Sequence, residues 1–325
     1  MRQMAVATHR TEAAERYSKL FETIRAAFQQ AYIHSDGQVA TVDHFPSIPP
    51  PTIHPTADDQ VGKPVETQTG YVLALYMHLM PDNLRAVAAD KLVALIRSNG
   101  MRLGTGFVGT PYLLEVLSNT GHSDVAYQLL LNREYPSWGY LIDHGATTTW
   151  ERWNGDTMRS DPSMNSYNHY AYGAVAEWIY RFAAGIDTDP ADAGFHTVVL
   201  HPTFDRRMGH LDFVYDSRFG PIHSSWTIAN GAGASATTNV ATPSASRPEV
   251  AHWTITLPAN TSAVLATHHI NAGSLTLNGK PLAEAKLQQG PNAGDFLLPA
   301  GTYTFTAKLQ NSTDAAPNPE TADAR

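Results

Sequence analysis

Residues 166–200 read SYNHYAYGAVAEWIYRFAAGIDTDPADAGFHTVVL, and the character of the chain changes inside this stretch. Up to Ala184 the pattern is that of one long helix, which Gly185 closes. After Asp187 no helical period remains, and Thr197-Val198-Val199-Leu200 is a β-branched run suited to a strand. A helical part followed by a β part is therefore expected, with the change near residue 190.

Reading outward toward the N-terminus, Tyr17, Leu20, Phe21, Ile24, Phe28 and Tyr32 recur at three- and four-residue intervals, the stripe of an amphipathic helix over residues 12–32. Ser35-Asp36-Gly37 stops it. Residues 39–66 hold no period but contain Pro46, Pro49, Pro50, Pro51, Pro55 and Pro64, which predicts a long surface loop. Helical patterning resumes over 69–79, 84–98, 111–118 and 124–131, so helical hairpins stacked side by side are expected. A polar, aromatic-rich loop is expected over 135–163. Toward the C-terminus short alternating runs at 197–200, 211–216, 222–229, 252–257, 263–267, 274–277 and 302–307 predict an antiparallel β-sandwich over 191–309. Residues 230–247, rich in Ala, Ser, Thr and Gly, read as a flexible excursion, and 310–325 as a disordered tail.

Composition limits the function. With 42% apolar residues in 325, one large core or two medium ones can form. The absence of cysteine removes disulfides and thiolate chemistry. A net charge of -8 with 22 scattered Lys and Arg argues against nucleic acid as a partner. Residues 71–79, the longest apolar stretch, are interrupted by His78 and fall well short of the roughly 20 residues that span a bilayer, so no membrane partner is expected. Residues 1–10 lack the apolar core of a signal peptide, which predicts a cytoplasmic location by default unless the address lies on another part of the protein.

Chemistry concentrates between Pro136 and His169. Three of the six tryptophans, Trp138, Trp150 and Trp153, stand there among Gly, Pro, Asn and Arg. Indole faces stack on the apolar face of a pyranose while Asn, His and Arg satisfy its hydroxyls, so a saccharide site is the functional reading; three core tryptophans are the plain one. Glu151, between Trp150 and Arg152, is a candidate general base, with an Arg-paired structural glutamate as its alternative and Asp143 and Asp156 as competitors. Asn168 and His169 are candidate hydroxyl partners. Gly104-Thr105-Gly106-Phe107-Val108-Gly109 fits a dinucleotide string, but no βαβ unit or suitably spaced acid accompanies it, so a tight loop is expected instead and no cofactor. The fifteen histidines show no metal-ligand spacing, and no metal is expected.

Taken in order, residues 67–71 (Thr-Gln-Thr-Gly-Tyr), 104–110, 136–140 (Pro-Ser-Trp-Gly-Tyr), 145–153 and 165–170 (Asn-Ser-Tyr-Asn-His-Tyr) resemble the bacterial alpha-L-rhamnosidases of glycoside hydrolase family 78, a likeness running over about residues 10–230. The resemblance implies an (α/α)6 barrel with a C-terminal β-sandwich, inverting hydrolysis of terminal alpha-L-rhamnosyl residues without a cofactor, and Glu151 as general base. The family's general acid lies on an earlier acid-rich stretch that nothing in residues 1–66 matches. Residues 1–190 are therefore expected to be the C-terminal half of the barrel, inactive or weak alone, with a rhamnose-containing glycoside or oligosaccharide as substrate and a separately encoded N-terminal half or a second copy of the chain as expected protein partners. Two rivals stand beside this: a non-catalytic carbohydrate-binding or scaffold remnant, and another (α/α)6 enzyme such as a sugar phosphorylase, which would need a phosphate pocket.

Overall fold

The computed structural model describes residues 1–40, 66–157, 165–189, 192–229, 249–270 and 272–309. Most of the Pro-rich stretch, the 230–247 excursion and the 310–325 tail lie outside these residues. The described chain forms two compact units, residues 1–174 and residues from 175 onward.

The first unit is helical: α1 (Arg2–Ala7), α2 (Thr11–Tyr32), α3 (Gln68–Tyr76), α4 (Arg85–Ser98), α5 (Thr110–Asn119), α6 (Ser123–Leu131) and α7 (Trp138–Asp143). α2 follows the predicted stripe, and Gly37, at φ +79°, makes the turn that ends in a bridge between Ile33 and Val39. α3 starts where the Thr67 side chain accepts the Gly70 N–H at 3.0 Å, an N-cap that satisfies an otherwise orphan donor. It buries Gln68, Tyr71, Val72 and Leu75, the i, i+3, i+4, i+7 face, and packs on α4 and α5. α4 answers with Ala88, Ala89, Leu92, Val93 and Ile96, α5 opens with Pro111 in its first turn, and α6 packs on α5 and α7. The stacked hairpins are as expected; α7 lies inside the stretch expected to be loop.

The Gly104–Gly109 string has a packing reason rather than only a turning one. A Cβ at Gly104 would sit 2.9 Å from the Gln68 amide, which accepts the Gly104 N–H at 2.8 Å and donates to the Arg102 carbonyl at 3.2 Å. At Gly109 a Cβ would stand 2.8 Å from Thr69 Oγ1. The buried start of α3 thus fixes this loop by close approach.

The second unit begins with a short helical segment, α8 (Val175–Trp178), running into a π-turn at Ile179–Ala183, and continues as one sheet. Its strands are β1 (Ile186–Thr188), β2 (Thr197–Leu200), β3 (His210–Ser217), β4 (Gly220–Ala229), β5 (Val250–Leu265), β6 (Ala272–Leu277), β7 (Lys280–Pro281), β8 (Gln288–Gln289) and β9 (Phe296–Leu309). Hydrogen-bonded order runs β1-β2-β5-β9-β6-β7, with β4 between β3 and β5 and β8 on β9. Every pair is antiparallel except β2 with β5. The runs at 252–257 and 263–267 belong to the single strand β5, whose register against β9 shifts between Leu257 and Ser262. Leu211, Trp226, Trp253, Phe305 and Leu277 are cross-strand neighbours on five successive strands and are all buried, a continuous apolar row through the sheet.

The expected helix over 166–184 is only partly present. Helical structure starts at Ala171, because residues 166–169 bond their backbone groups to another segment, residues 148–151.

Candidate active site

Residues 148–155 and 165–172 lie alongside one another and are laced together. Thr148 Oγ1 donates to the Tyr167 carbonyl. The His169 N–H donates to the Thr149 carbonyl at 2.8 Å, and the Glu151 N–H to the Ser166 carbonyl at 2.8 Å. Ser166 returns its own N–H to Glu151 Oε2 at 2.8 Å, and the Tyr167 hydroxyl donates to the Gly155 carbonyl at 2.9 Å. These bonds use the amides and carbonyls that a helix through 166–170 would need.

The aromatic residues fill the space behind this ladder. Trp138 is fixed by α7: Ser137 caps the helix by accepting the Tyr140 N–H at 3.0 Å, and the indole N–H donates to the Tyr172 carbonyl at 2.8 Å. Gly139 is required there, since a Cβ would collide with the Asn132 carbonyl. Trp153 stacks on Tyr172, with ring centroids 3.9 Å apart at 19°, and meets Trp138 edge-on at 5.5 Å. Trp150 meets Tyr167 edge-on at 5.6 Å and leaves little room for a side chain at Gly155.

In front of them opens a cavity of about 250 Å³ lined by Phe107, Tyr135, Glu151, Arg152, Trp153, Asn154 and Tyr172. Glu151 is the one carboxylate among these lining residues. Its Oε2 is held by Ser166, while among the described residues Oε1 has no hydrogen-bond partner. Burial, then the neighbouring Tyr135 and the Glu151 carboxylate, push the Tyr172 hydroxyl above its ordinary value of 10.0, so it stays a neutral donor.

The sequence-predicted residues separate into groups. Glu151 and Trp153 line the cavity. Trp138 and Trp150, 7% and 5% exposed, do not line it: Trp138 backs Trp153 and Tyr172, whereas Trp150 packs against Tyr167 and Gly155. Asn168 is exposed and His169 half-buried, and neither lines the cavity; His169 instead stacks on Phe107 at 4.7 Å and 20°, backing a residue that does. The competitors are engaged elsewhere. Asp143 is forked by Arg133, whose hydrogen bonds hold its carboxyl below the usual range, and Asp156 accepts from Tyr140 at 3.2 Å. Phe107, Tyr135, Asn154 and Tyr172 were not singled out by sequence; the Gly-rich loop that presents Phe107 was the one available signal. Among the described residues no group of three or more His, Asp or Glu is disposed to hold a metal ion, and no helix is long and apolar enough to cross a membrane.

Stacked helical hairpins followed by a sheet-rich unit are the arrangement of a six-hairpin glycosidase. Residues 1–183 match the bacterial alpha-L-rhamnosidase 6 hairpin glycosidase domain, and residues 185–251 the bacterial alpha-L-rhamnosidase C-terminal domain. The chain belongs to the bacterial alpha-L-rhamnosidase family. It is 44% identical over 231 residues to an alpha-L-rhamnosidase of Streptomyces avermitilis, a match covering 70% of this chain and 20% of that protein. An alpha-L-rhamnosidase of Formosa agariphila is 31% identical over 299 residues, 90% of this chain and 28% of its own length. The crystal structure of the Streptomyces avermitilis enzyme complexed with L-rhamnose is similar to 94% of this chain and 26% of that chain, with a TM-score of 0.69 and 35% identity. The native Aspergillus terreus enzyme, at 24% identity and a TM-score of 0.69, shares the fold over 95% of this chain and 29% of its own. The chain thus spans between a fifth and somewhat over a quarter of the length of these relatives.

Proposed function

We propose that this chain supplies the general-base side of an alpha-L-rhamnosidase active site, and that Glu151 is the base. The observation that carries this is Glu151, whose carboxylate is held at Oε2 by Ser166 and which is the one acidic residue lining a cavity walled by Trp153, Tyr172 and Phe107. A pyranose ring stacked on those walls would present its anomeric carbon to a water beside the carboxylate. Glu151 would accept the water's proton as the oxygen attacks, and the sugar would leave with inverted configuration.

An inverting pair needs a second carboxyl group roughly 6.5–9.5 Å away to protonate the leaving oxygen. No other described residue lining the cavity carries one, and we place the acid outside residues 1–325. On this reading the substrate is a terminal alpha-L-rhamnoside and the chain acts as part of a larger catalytic body. The single carboxylate also gives support to a non-catalytic saccharide-binding role.

The test compares hydrolysis of an aryl alpha-L-rhamnoside by the chain alone and by the chain grafted in place of the matching part of the Streptomyces avermitilis relative, each with and without Glu151→Gln. The expected result is turnover in the graft, release of the β-anomer, and a loss of roughly 10²–10⁴-fold on Glu151→Gln. Turnover that survives the substitution would overturn the assignment of the base. Rhamnose binding without turnover in either protein would establish the non-catalytic role instead.

A further inference from the structure

Tyr172 brings more than a wall to the Glu151 cavity. Trp153 covers one face of its ring, at 3.9 Å and 19°, and Phe107 packs against it tilted, at 5.5 Å and 53°. Its carbonyl is taken by the Trp138 indole N–H. The part of Tyr172 left for the cavity that it lines is the hydroxyl edge.

That hydroxyl is unusual for its depth. The residue is 6% exposed, and a phenol so far inside a protein ordinarily finds a hydrogen-bond partner. Among the described residues the Tyr172 hydroxyl has none, yet its oxygen is not one of the unpartnered side-chain atoms sealed from solvent. An oxygen both reachable and unmatched, on a side chain otherwise enclosed, opens onto the cavity. The Glu151 carboxylate lies close enough for its charge to act on the phenol, and the two do not bond each other. The cavity therefore sets an anion that can only accept beside a neutral group that can both donate and accept. An apolar occupant would strand both, and an anionic one would be repelled by Glu151. A polyol matches the pair, because each of its hydroxyls donates and accepts.

Given the saccharide reading of this cavity, on which this step rests, we infer that the Tyr172 hydroxyl is a specificity-determining substrate contact. It hydrogen-bonds one ring hydroxyl of the bound glycoside and takes no part in the proton transfer at Glu151. A site that hydrogen-bonds a substrate hydroxyl discriminates against the analogue lacking it, because the protein's own buried group is then left unpaired. Tyr172 thus selects for the one sugar position that its hydroxyl meets.

The test titrates the full chain and its Tyr172→Phe variant with methyl alpha-L-rhamnopyranoside and with the 2-, 3- and 4-deoxy analogues of that glycoside. Both proteins carry 5-fluorotryptophan, and the ¹⁹F resonance of Trp153, assigned with Trp153→Phe, reports binding. Tyr172→Phe is expected to weaken the parent glycoside about fivefold, the loss of one neutral hydrogen bond. For one of the three analogues it should change nothing, and equal binding of that analogue by both proteins shows a site otherwise intact. Weakening of all four ligands alike would mean that the hydroxyl supports the fold and not the sugar; affinities untouched by the substitution would remove the contact. Either overturns the inference, as does the absence of any shift up to about 100 mM parent glycoside, which excludes even millimolar affinity. The base is decided separately, by turnover of the grafted protein. Turnover indifferent to Glu151→Gln, beside a Tyr172 effect confined to one hydroxyl, would sink the base and leave this contact standing; the reverse pair of results would sink the contact alone.

Discussion

Trp153 and Trp253 are both buried tryptophans stacked on another ring, at 3.9 Å on Tyr172 and 4.8 Å on Phe305, yet they are positioned by different forces. Trp253 sits mid-strand on β5, paired on one side with Trp226 and on the other with Phe305, and its indole N–H donates to Ser224 Oγ at 2.9 Å. Ser224 in turn donates to the Ala184 carbonyl at 2.6 Å. Backbone ladders on both sides set its place, and burial supplies most of the stabilisation. Trp153 lies in a segment with no strand ladder, held by bonds between two irregular stretches and turned toward a cavity. A sheet core can be dry on every side; a ring that borders an open cavity is held by polar anchoring behind it.

The contrast can be broken experimentally. Its largest consequence is that Trp253→Ala should destabilise the sheet unit by roughly 3–5 kcal/mol through the cavity it leaves, with the Ser224 hydroxyl losing its donor, read as a drop in denaturation midpoint and loss of near-ultraviolet dichroism. A smaller effect is expected for Thr148→Val, which removes one exposed bond of the ladder: about 0.5–1.5 kcal/mol, measured by urea denaturation of the helical unit. If it costs as much as Trp253→Ala, polar lacing is not the weaker kind of support and the contrast fails. The smallest effect is assigned to Arg133→Gln, beside the site but on its surface. The Arg133 hydrogen bonds depress the Asp143 carboxyl below 3.8 in the folded state. Its contribution is therefore present above the unfolded value of about 3.8 and is lost as pH falls through the lower folded value. Thermal melts should separate wild type from Arg133→Gln slightly at neutral pH and converge in acid; curves that stay apart there would assign the difference to packing.

Much of the helical unit was legible because α3 to α6 carry uninterrupted apolar faces ended by Gly or capped by Thr and Pro. α7 was hidden by its own composition. Pro136 and Gly139 look like loop residues, but Gly139 is there because the Asn132 carbonyl passes too close for a side chain, and Ser137 is a cap. The start of the following helix was misplaced for a non-local reason: the backbone groups of Ser166, Tyr167 and His169 bond residues 148–151, and a periodicity argument does not see partners that far away. β5 looked like two strands because Pro258 and Asn260 interrupt the alternation where the register shifts. The pairing of β2 with β5 in parallel also carries no local mark. In the site, the tryptophans and Glu151 stood out by residue type, whereas Phe107, Tyr135 and Tyr172 are ordinary aromatics until the fold brings them to one wall.

Glu151 and Ser166 meet twice, main chain to main chain and side chain to main chain. A glutamate surrenders up to about 1.5–2 kcal/mol of rotamer freedom when it is immobilised. Here that ordering is completed while the chain folds, so an arriving molecule finds a carboxylate already aimed and need not arrest a swinging one. The same double tie makes the direction of Glu151 a property of the Ser166 backbone: any motion that rotates the peptide plane between Asn165 and Ser166 moves the N–H that holds the carboxylate.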